Sequence, residues 1–340
     1  MFKKPWLWLP AKWAHDLSPL GLKLVSFVIN KKTTPAWNSI KYKNLNFKNP
    51  LGLAGGVDKN GTQLIEWQNL GAGFIEVGTI TPNPQSSNPG HIIQRDLKTK
   101  SLWNKMGFPS NGKDIVLKNI IKTKEKLNIP LFINIGKNRT TKNENAADDY
   151  SLLMKDFFHL ADAFVINISS PNTQNLRELL EPKKLHFFLK NLTTSYQTLV
   201  TNSAIAPLIL IKLSPDIDDI LIEQTLEICF QHNIDGFILT NTTLNRSTAA
   251  FYPVEGGLSG LPLKDQSLHL LRKTVHYCQK MNTKKMVVSV GGVMTADDVF
   301  ERISLGADLV QVYSALVFEG PLFFRKVEDI AIQRAIQGTN

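Results

Sequence analysis

Eight short apolar runs, each followed by a segment with helical periodicity, constrain the fold of this chain more than any other feature. Apolar runs of this length are typical of buried parallel strands, and strand–helix repeats predict a parallel sheet. Eight such units are the number that closes a (β/α)8 TIM barrel. The alternative is a doubly wound open sheet, in which one predicted strand would be miscounted. The predicted strands are 51–54, 74–78, 131–135, 164–168, 208–213, 236–240, 286–290 and 309–312.

The segments between the strands predict helices, among them 62–70, 218–231 and 295–305. Thr295 is predicted to cap the last of these, because Asp297 and Asp298 follow it in the first turn, where the helix dipole favours acids. Two long connections, 79–111 and 241–264, follow strands, and long loops in such positions usually carry function. Residues 40–47 are predicted to form a small hairpin that closes the other end of the barrel.

The first 32 residues differ in composition from the rest of the chain. Trp6, Trp8 and Trp13 precede apolar residues that recur at helical spacing, and six lysines accompany one acid, Asp16. This mixture suits a pair of amphipathic helices at a membrane interface. A helical cap that packs on the barrel fits the segment equally well, and the two interpretations are compatible. We therefore divide the chain into an N-terminal amphipathic segment, 1–32, and a barrel domain, 33–340.

The same segment begins like a signal peptide, with Lys3 and Lys4 before apolar residues. Pro10 and Lys12 interrupt the apolar run, however, and no small-residue cleavage site follows. We expect the segment to be retained in the mature protein. No apolar run in the chain reaches the ~18 residues that a membrane-spanning helix needs.

The net charge of +10 permits binding to anionic membranes, nucleic acid or acidic substrates. Because the basic residues are dispersed and not interleaved with aromatics on one helix, nucleic acid is the weaker option, and no nucleic-acid partner is expected. Cys229 and Cys278 lie in amphipathic helical patterns and belong to no Cys/His cluster. Neither structural zinc nor a disulfide framework is therefore expected, and both cysteines are predicted to serve packing.

The catalytic groups of a barrel lie at the C-terminal ends of its strands. The side chains there are amides, hydroxyls, glycines and one lysine, whereas a glycosidase needs paired carboxylates and a metal enzyme needs Asp, Glu or His ligands. No metal site is therefore predicted. Clustered amides suit a planar ligand with alternating donors and acceptors, such as a pyrimidine ring. The strand-end residues are Gly55, Gly56, Thr79, Asn134, Asn167, Ser170, Asn172, Lys212, Thr240, Asn241, Thr242, Gly291, Gly292, Tyr313 and Ser314.

Three of these positions carry more specific hypotheses. Gly291-Gly292 and Tyr313-Ser314 follow the seventh and eighth strands, whose loops are the usual phosphate site of the fold. Gly-Gly alone would indicate only a tight turn. Lys212 ends an apolar strand, where a lysine either forms a Schiff base or places a cation beside a cofactor. The sequence of the strand leaves both roles open.

The chain resembles the dihydroorotate dehydrogenase family in motifs that run in order from about residue 14 to residue 320. These motifs are GLAGGVDKNG at 52–61, EVGT at 76–79, NKMGF at 104–108, NIGKN at 134–138, NISSPNT at 167–173, NTT at 241–243, GLSG at 257–260 and GGV at 291–293. Several motifs in register make the resemblance specific, whereas any one alone would be weak.

The resemblance implies FMN at the barrel mouth and dihydroorotate beside it. Lys212 would then stabilise the anionic reduced flavin electrostatically. The matching flavin contacts are Gly55, Gly56, Val57, Asp58, Lys59, Thr79, Asn134, Asn167, Lys212 and Thr240, with Gly260, Gly292, Tyr313 and Ser314 at the phosphate end. The matching substrate contacts are Lys59, Asn104, Lys105, Met106, Gly107, Phe108, Asn167, Asn172, Asn241 and Thr242.

The resemblance also implies the reaction, in which a base removes the C5 proton of dihydroorotate and a hydride passes from C6 to the flavin. Ser170 occupies the position of that base. Soluble branches of the family place a cysteine there, and no cysteine precedes Cys229 in this chain. The membrane-associated branch, which passes the electrons to a quinone in pyrimidine biosynthesis, is therefore indicated.

In that branch, His15 and Arg95 match positions near the quinone tunnel, and segment 1–32 would form its entrance. The expected location is the cytoplasmic face of a bacterial cell membrane, on an anionic surface, with a monomer favoured. Two departures from the family pattern are visible. Residues 90–94, GHIIQ, replace a basic, proline-containing stretch, and Gly55-Gly56 stands where Ala-Gly is commoner.

Three other functions compete with this interpretation. A Schiff-base aldolase would use Lys212 and carry no flavin. A dihydropyrimidine or dihydrouridine reductase would share the barrel but prefer a nicotinamide, and a dihydrouridine enzyme would need an RNA-binding extension that the sequence lacks. A membrane-bound scaffold without catalysis would not need the polar strand ends.

Overall fold

The computed structural model describes residues 4–28, 36–201, 203 and 206–338, and alternates strands with helices along that part of the chain. The strands are β1 Ile40–Tyr42, β2 Leu45–Phe47, β3 Leu51–Leu53, β4 Ile75–Ile80, β5 Ile93–Asp96, β6 Ser101–Asn104, β7 Leu131–Ile135, β8 Ala163–Asn167, β9 Leu208–Leu213, β10 Gly236–Leu239, β11 Gly257–Gly260, β12 Met286–Val290 and β13 Leu309–Val312. The α-helices are α1 Ala11–Val28, α2 Leu64–Asn69, α3 Lys113–Lys124, α4 Ala146–Phe157, α5 Pro182–Val200, α6 Asp219–Gln231, α7 Lys264–Lys280, α8 Ala296–Ser304, α9 Ser314–Phe318 and α10 Phe323–Gly338.

Eight of the strands close into a parallel barrel in the order β3-β4-β7-β8-β9-β10-β12-β13. Strand β13 pairs with β3, with Val312 opposite Leu53, so the sheet has no free edge. Each barrel strand matches one predicted apolar run within a few residues, and the residues of all eight are buried. The predicted (β/α)8 barrel is confirmed, and the closure of the sheet excludes the open alternative.

The helix termini follow from local capping. The hydroxyl of Thr295 accepts a hydrogen bond from the Asp298 amide at 3.2 Å, and the Asp298 carboxylate accepts one from the Thr295 amide at 2.8 Å. This reciprocal capping box begins α8 one residue after the predicted cap. At α6 the cap is one-way: the Asp218 carboxylate accepts a hydrogen bond from the Leu221 amide at 2.8 Å. The predicted helices at 62–70, 218–231 and 295–305 are confirmed with slightly shorter bounds.

The predicted hairpin at 40–47 is also confirmed, as the antiparallel pair β1 and β2. Its Phe47 ring packs edge-on against Phe74 and Phe132, with ring centroids 5.8 and 6.2 Å apart. Phe74 and Phe132 stand at the beginnings of β4 and β7, so the hairpin covers the N-terminal end of the barrel. Burial of these rings, together with the edge-on geometry, stabilises that closure.

At the opposite end, the two long connections meet in a small antiparallel sheet of order β11-β6-β5. Strands β5 and β6 belong to the connection after β4, and β11 belongs to the connection after β10. The Trp103 indole donates a hydrogen bond to the Glu255 carbonyl at 2.7 Å, which ties the two connections together. This sheet brings residues of both loops to the mouth of the barrel.

The N-terminal segment packs on the barrel and also leaves an apolar face exposed. The predicted helical extension is present: a short 3-10 helix at Pro5–Leu7 precedes the longer helix α1. Leu22 is buried against the core, whereas Trp13, Leu20 and Phe27 are 63%, 64% and 86% exposed. Residues 1–3 and 29–32 of the predicted segment lie outside the described residues. Across the described chain, no helix is long and apolar enough to cross a membrane.

Cys229 on α6 is fully buried and Cys278 on α7 is partly buried, and both thiols are free. Both side chains contribute to the apolar core between the helices and the barrel, as predicted. Burial raises the pKa of the Cys278 thiol to about 11, so this thiol stays protonated and unreactive at neutral pH.

Candidate active site

A polar cavity opens at the C-terminal ends of the barrel strands, under the small sheet formed by β5, β6 and β11. It brings together most of the predicted site residues, which come from nine separate regions of the chain. Those that line it are Gly55, Gly56, Lys59, Thr79, Asn104, Met106, Gly107, Phe108, Asn134, Asn167, Ser170, Asn172, Lys212, Thr240, Asn241, Thr242, Gly292, Tyr313 and Ser314.

Four predicted contacts lie outside the lining of this cavity. The Asp58 carboxylate is buried and accepts hydrogen bonds from the amides of residues 60, 62 and 63, and burial raises its pKa. The Lys105 ammonium pairs with Glu255, and Val57 faces a second cavity. Gly260 ends β11 next to the cavity residue Ser259. Their roles as ligand contacts stay predictions, because a motif match gives the position of a residue and not the direction of its side chain.

The centre of the barrel contains a carboxylate, Glu76, that is not among the predicted site residues. Glu76 is fully buried and accepts hydrogen bonds from Lys212 Nζ at 2.9 Å, from Gln311 Nε2 at 2.6 Å and from Asn134 Nδ2. A Cβ atom at Gly55 would lie 2.2 Å from Glu76 Oε1, so only glycine fits beside this group. The sequence does contain a signal for this cluster: Glu76 is a charged residue inside the buried strand β4, and a buried carboxylate needs hydrogen-bonding or charged partners.

This pairing bears on the two roles left open for Lys212. A Schiff-base lysine must attack as the neutral amine. Lys212 instead forms an ion pair with the buried Glu76 carboxylate at 2.9 Å, which holds its Nζ in place. The geometry therefore favours a fixed cation in the cavity wall over an aldolase nucleophile.

On the side of the cavity that holds Ser170, asparagine side chains are joined by hydrogen bonds. Ser170 Oγ accepts a hydrogen bond from the backbone N–H of Asn172 at 3.2 Å. The side chain of Asn172 donates from Nδ2 to Asn104 Oδ1 at 2.9 Å. Asn241 Nδ2 donates to Asn167 Oδ1 at 3.1 Å and to Ser169 Oγ at 3.2 Å. Ser170 lines the cavity, whereas the neighbouring Ser169 is fully buried behind it. Of the two serines, Ser170 is therefore the one placed to contact a ligand.

The other side of the cavity is formed by the loops after β12 and β13. Gly292 has a left-handed φ of 71°, and a Cβ atom there would lie 2.4 Å from Lys264 Cα. The Ser259 and Ser314 hydroxyls are 3.1 Å apart beside this loop. Burial raises the pKa of Tyr313 to about 12, so its hydroxyl stays protonated. Glycine backbone that lines the cavity next to two hydroxyls suits an anionic group such as a phosphate.

A second cavity, of about 640 Å³, lies between the N-terminal segment and the barrel. Its walls are mostly apolar and include Trp6, Leu22 and Leu316, with Arg95 as a charged residue. The Arg95 guanidinium donates hydrogen bonds to the carbonyls of Trp6 and Leu7, both at 2.9 Å. The side chain of His15 lies outside the described part of the structure. Tyr313 lines both cavities and therefore stands between them.

The fold and the two cavities define a class: a barrel enzyme with a polar ligand site at its mouth and an apolar site beside it. Comparison with known proteins makes the class specific. The family model described as dihydroorotate dehydrogenase matches residues 38–334. A dihydroorotate dehydrogenase (quinone) from Methylobacillus flagellatus is 39% identical over 96% of this chain and 97% of its own length. One from Pseudoalteromonas translucida is 36% identical over 94% and 95%.

A solved structure agrees with these matches. The crystal structure of DHODH from Eimeria tenella in complex with ferulenol superposes with a TM-score of 0.85 at 31% identity, covering 96% of this chain and 92% of that chain. This chain belongs to the dihydroorotate dehydrogenase family. Membership makes it an oxidoreductase and implies a flavin cofactor.

Proposed function

We propose that this protein oxidises dihydroorotate to orotate, with FMN at the barrel mouth and a membrane quinone as the final electron acceptor, as a step of pyrimidine biosynthesis. The observation that carries the proposal is the position of Tyr313 between a polar cavity and an apolar one. A cofactor at this wall would be reached by a polar substrate from one side and a lipophilic one from the other. The names of the curated relatives, dihydroorotate dehydrogenase (quinone), agree with such an arrangement.

The residues of the polar cavity fit a flavin and a pyrimidine ring together. Among the described residues, Asn172 Oδ1 and Gln311 Oε1 are buried acceptors without a hydrogen-bond partner, and both residues line the cavity. Buried acceptors are normally satisfied, so a ligand with ring N–H groups suits both of them. The glycine loop at 291–292, with Ser259 and Ser314, suits the phosphate end of FMN. When bound, FMN would supply the acceptor for the hydride that leaves C6 of the substrate.

The amide network would orient the substrate. Asn104 and Asn172 hold each other by their side chains, and Asn241 is fixed by Asn167, so little rotamer freedom is left to lose when the substrate binds. Lys59 and Thr242 line the same cavity, and both side chains carry hydrogen-bond donor groups. Pre-organisation of this kind places the scissile C5 and C6 hydrogens with respect to fixed groups.

Ser170 would remove the C5 proton. A serine hydroxyl is a weak base, and it acts as one only where water is excluded and its own proton can be passed on. Its side chain is almost fully buried at the cavity wall, and the Asn172 amide holds its Oγ at 3.2 Å. The fixed cation of Lys212 would stabilise negative charge that develops in the same cavity.

The apolar cavity would admit the quinone head group. We assign residues 1–32 to an N-terminal membrane and quinone-entrance segment and residues 33–340 to the catalytic barrel, with Arg95 and His15 near the quinone. The exposed residues Trp13, Leu20 and Phe27 on α1 suit peripheral contact with an anionic membrane, on the cytoplasmic face of a bacterial cell membrane. A monomer stays our prediction for the oligomeric state.

The proposal is tested with the purified full-length chain and vesicles that contain a long-tailed quinone. We expect orotate formation to depend on dihydroorotate and on the quinone, and NAD+ to be a poor substitute for the quinone. Turnover with NAD+ but not with quinone would identify a nicotinamide-dependent enzyme instead. Absence of orotate with every acceptor, from folded flavin-containing protein, would refute the dehydrogenase proposal.

A further inference from the structure

Arg302 on α8 is a fully buried arginine that the proposed chemistry does not use. Its Nη1 donates hydrogen bonds to Ser289 Oγ at 2.8 Å and to Ser267 Oγ at 2.9 Å, and its Nη2 donates to the Gly291 carbonyl. One guanidinium thus joins the helix α7, the strand β12 and the glycine loop that follows that strand. Burial lowers the pKa of Arg302 to about 10, so the group is charged at neutral pH.

The bond to Gly291 orients a peptide that lines the polar cavity. In a trans peptide, the carbonyl of one residue and the N–H of the next point in opposite directions. Because the Gly291 carbonyl is directed at Arg302, the Gly292 N–H is directed away from Arg302. Gly291 and Gly292 both line the cavity, next to Ser314. Arg302 therefore fixes the direction of a backbone donor at the end of the site that suits an anion.

Arg302 also has fewer carboxylate partners than Lys264, the neighbouring cation. Lys264, which lies against Gly292, forms ion pairs with both Asp298 and Glu301. Arg302 forms no ion pair with any carboxylate in the described part of the chain, although Asp298 and Glu301 lie near enough to act on it through space. Its Nε has no acceptor among the same residues. A buried guanidinium without a paired carboxylate favours an anion nearby.

We propose that Arg302 is a positioning residue for the phosphate of the bound flavin mononucleotide. It acts through the Gly291–Gly292 peptide and through its buried positive charge, without touching the phosphate itself. The inference rests on the proposed FMN cofactor and adds to it a selectivity for the phosphorylated flavin over the unphosphorylated one. Ser267 and Ser289 serve to hold the guanidinium in place.

The test compares FMN with riboflavin, which lacks the phosphate. Full-length holoenzyme is purified, its flavin is removed, and the protein is reloaded with either flavin while the dissociation constants are measured by flavin fluorescence. We expect Arg302→Met to weaken FMN binding by about tenfold or more, the scale of one charge-assisted interaction, and riboflavin binding by less than about threefold. Arg302→Lys should fall between wild type and Arg302→Met, because it keeps the charge but loses the forked geometry.

Ser289→Ala is the matched control, because it removes one partner of Arg302 and leaves the bond to Gly291. It should change both dissociation constants by less than about threefold. Equal weakening of FMN and riboflavin by Arg302→Met would overturn the inference, as would unchanged FMN binding. If Arg302→Met does not fold, the same comparison on Arg302→Lys decides. Wild-type protein that binds the two flavins equally would instead count against the proposed FMN cofactor.

Discussion

Lys212 Nζ lies 2.9 Å from Glu76 Oε1 in the buried centre of the barrel, although the two residues are 136 positions apart in the chain. The carboxylate also accepts hydrogen bonds from the side chains of Asn134 and Gln311, so its charge is satisfied on several sides. The ion pair places a fixed cation in the wall of the polar cavity. Because Glu76 is on β4 and Lys212 is on β9, the pair forms only when the barrel closes.

The first prediction concerns this ion pair. Glu76→Gln leaves the Lys212 ammonium buried without a counter-charge, so we expect the free energy of unfolding to fall by about 3 kcal/mol or more. Chemical denaturation measures the change. The control is Glu178→Gln, which breaks an exposed pair with Lys184 at 3.0 Å and should have little effect. Adding Lys212→Met to Glu76→Gln should cost less than the sum of the single changes, and strict additivity would argue against the coupling.

The second prediction separates the two adjacent serines. Ser170→Ala should still bind FMN and orotate, but reduction of the enzyme by dihydroorotate should slow by ~10²-fold or more, the usual scale for loss of a general base. Ser169→Ala should change this rate much less, because Ser169 is buried behind the cavity and bonds to Asn241. Anaerobic stopped-flow absorbance measures both variants. Small effects of equal size would remove Ser170 from the role of base.

The third prediction concerns Arg95, which fixes the N-terminal turn by its bonds to the carbonyls of Trp6 and Leu7. Arg95→Ala should release this turn, increase amide hydrogen exchange there, and slow reoxidation by quinone. Reduction by dihydroorotate should stay near the wild-type rate, since Arg95 does not line the polar cavity. His91→Ala, an exposed change in the same connection, serves as the control. A loss confined to the dihydroorotate step would contradict this assignment.

The fourth prediction concerns the exposed face of α1. Replacing Trp13, Leu20 and Phe27 by serine should weaken binding to anionic vesicles and lower turnover with vesicle-borne quinone. Stability should change little, because these side chains are largely solvent-exposed. High salt should weaken vesicle binding of the wild type, since lysines contribute to the attraction. Unchanged vesicle binding by the triple variant would refute membrane contact through this face.

The barrel could be predicted because each of its strands is buried on both faces and reads as a mostly apolar run, as in 131–135 and 208–213, where a polar residue occurs only near the C-terminal end. Strands β6 and β11 could not be predicted. The sequence of β11, GLSG at 257–260, has no strand periodicity, and the two strands form only when the two long connections pair with each other. The same limit applied to the site. The motif at 167–173 drew attention to Ser170 and the strand-end position to Lys212, and both line the cavity. Their surroundings could not be predicted, because Glu76 and Gln311 come together only when the barrel closes.

The most direct test of the central claim is the absorbance spectrum of the purified protein, recorded anaerobically before and after dihydroorotate is added. We expect a flavin spectrum that bleaches in proportion to the dihydroorotate added, and FMN released when the protein is denatured. Subsequent addition of quinone should restore the spectrum. A flavin spectrum that dihydroorotate leaves unchanged, or a folded, colourless protein that takes up no flavin, would contradict the assignment of this site.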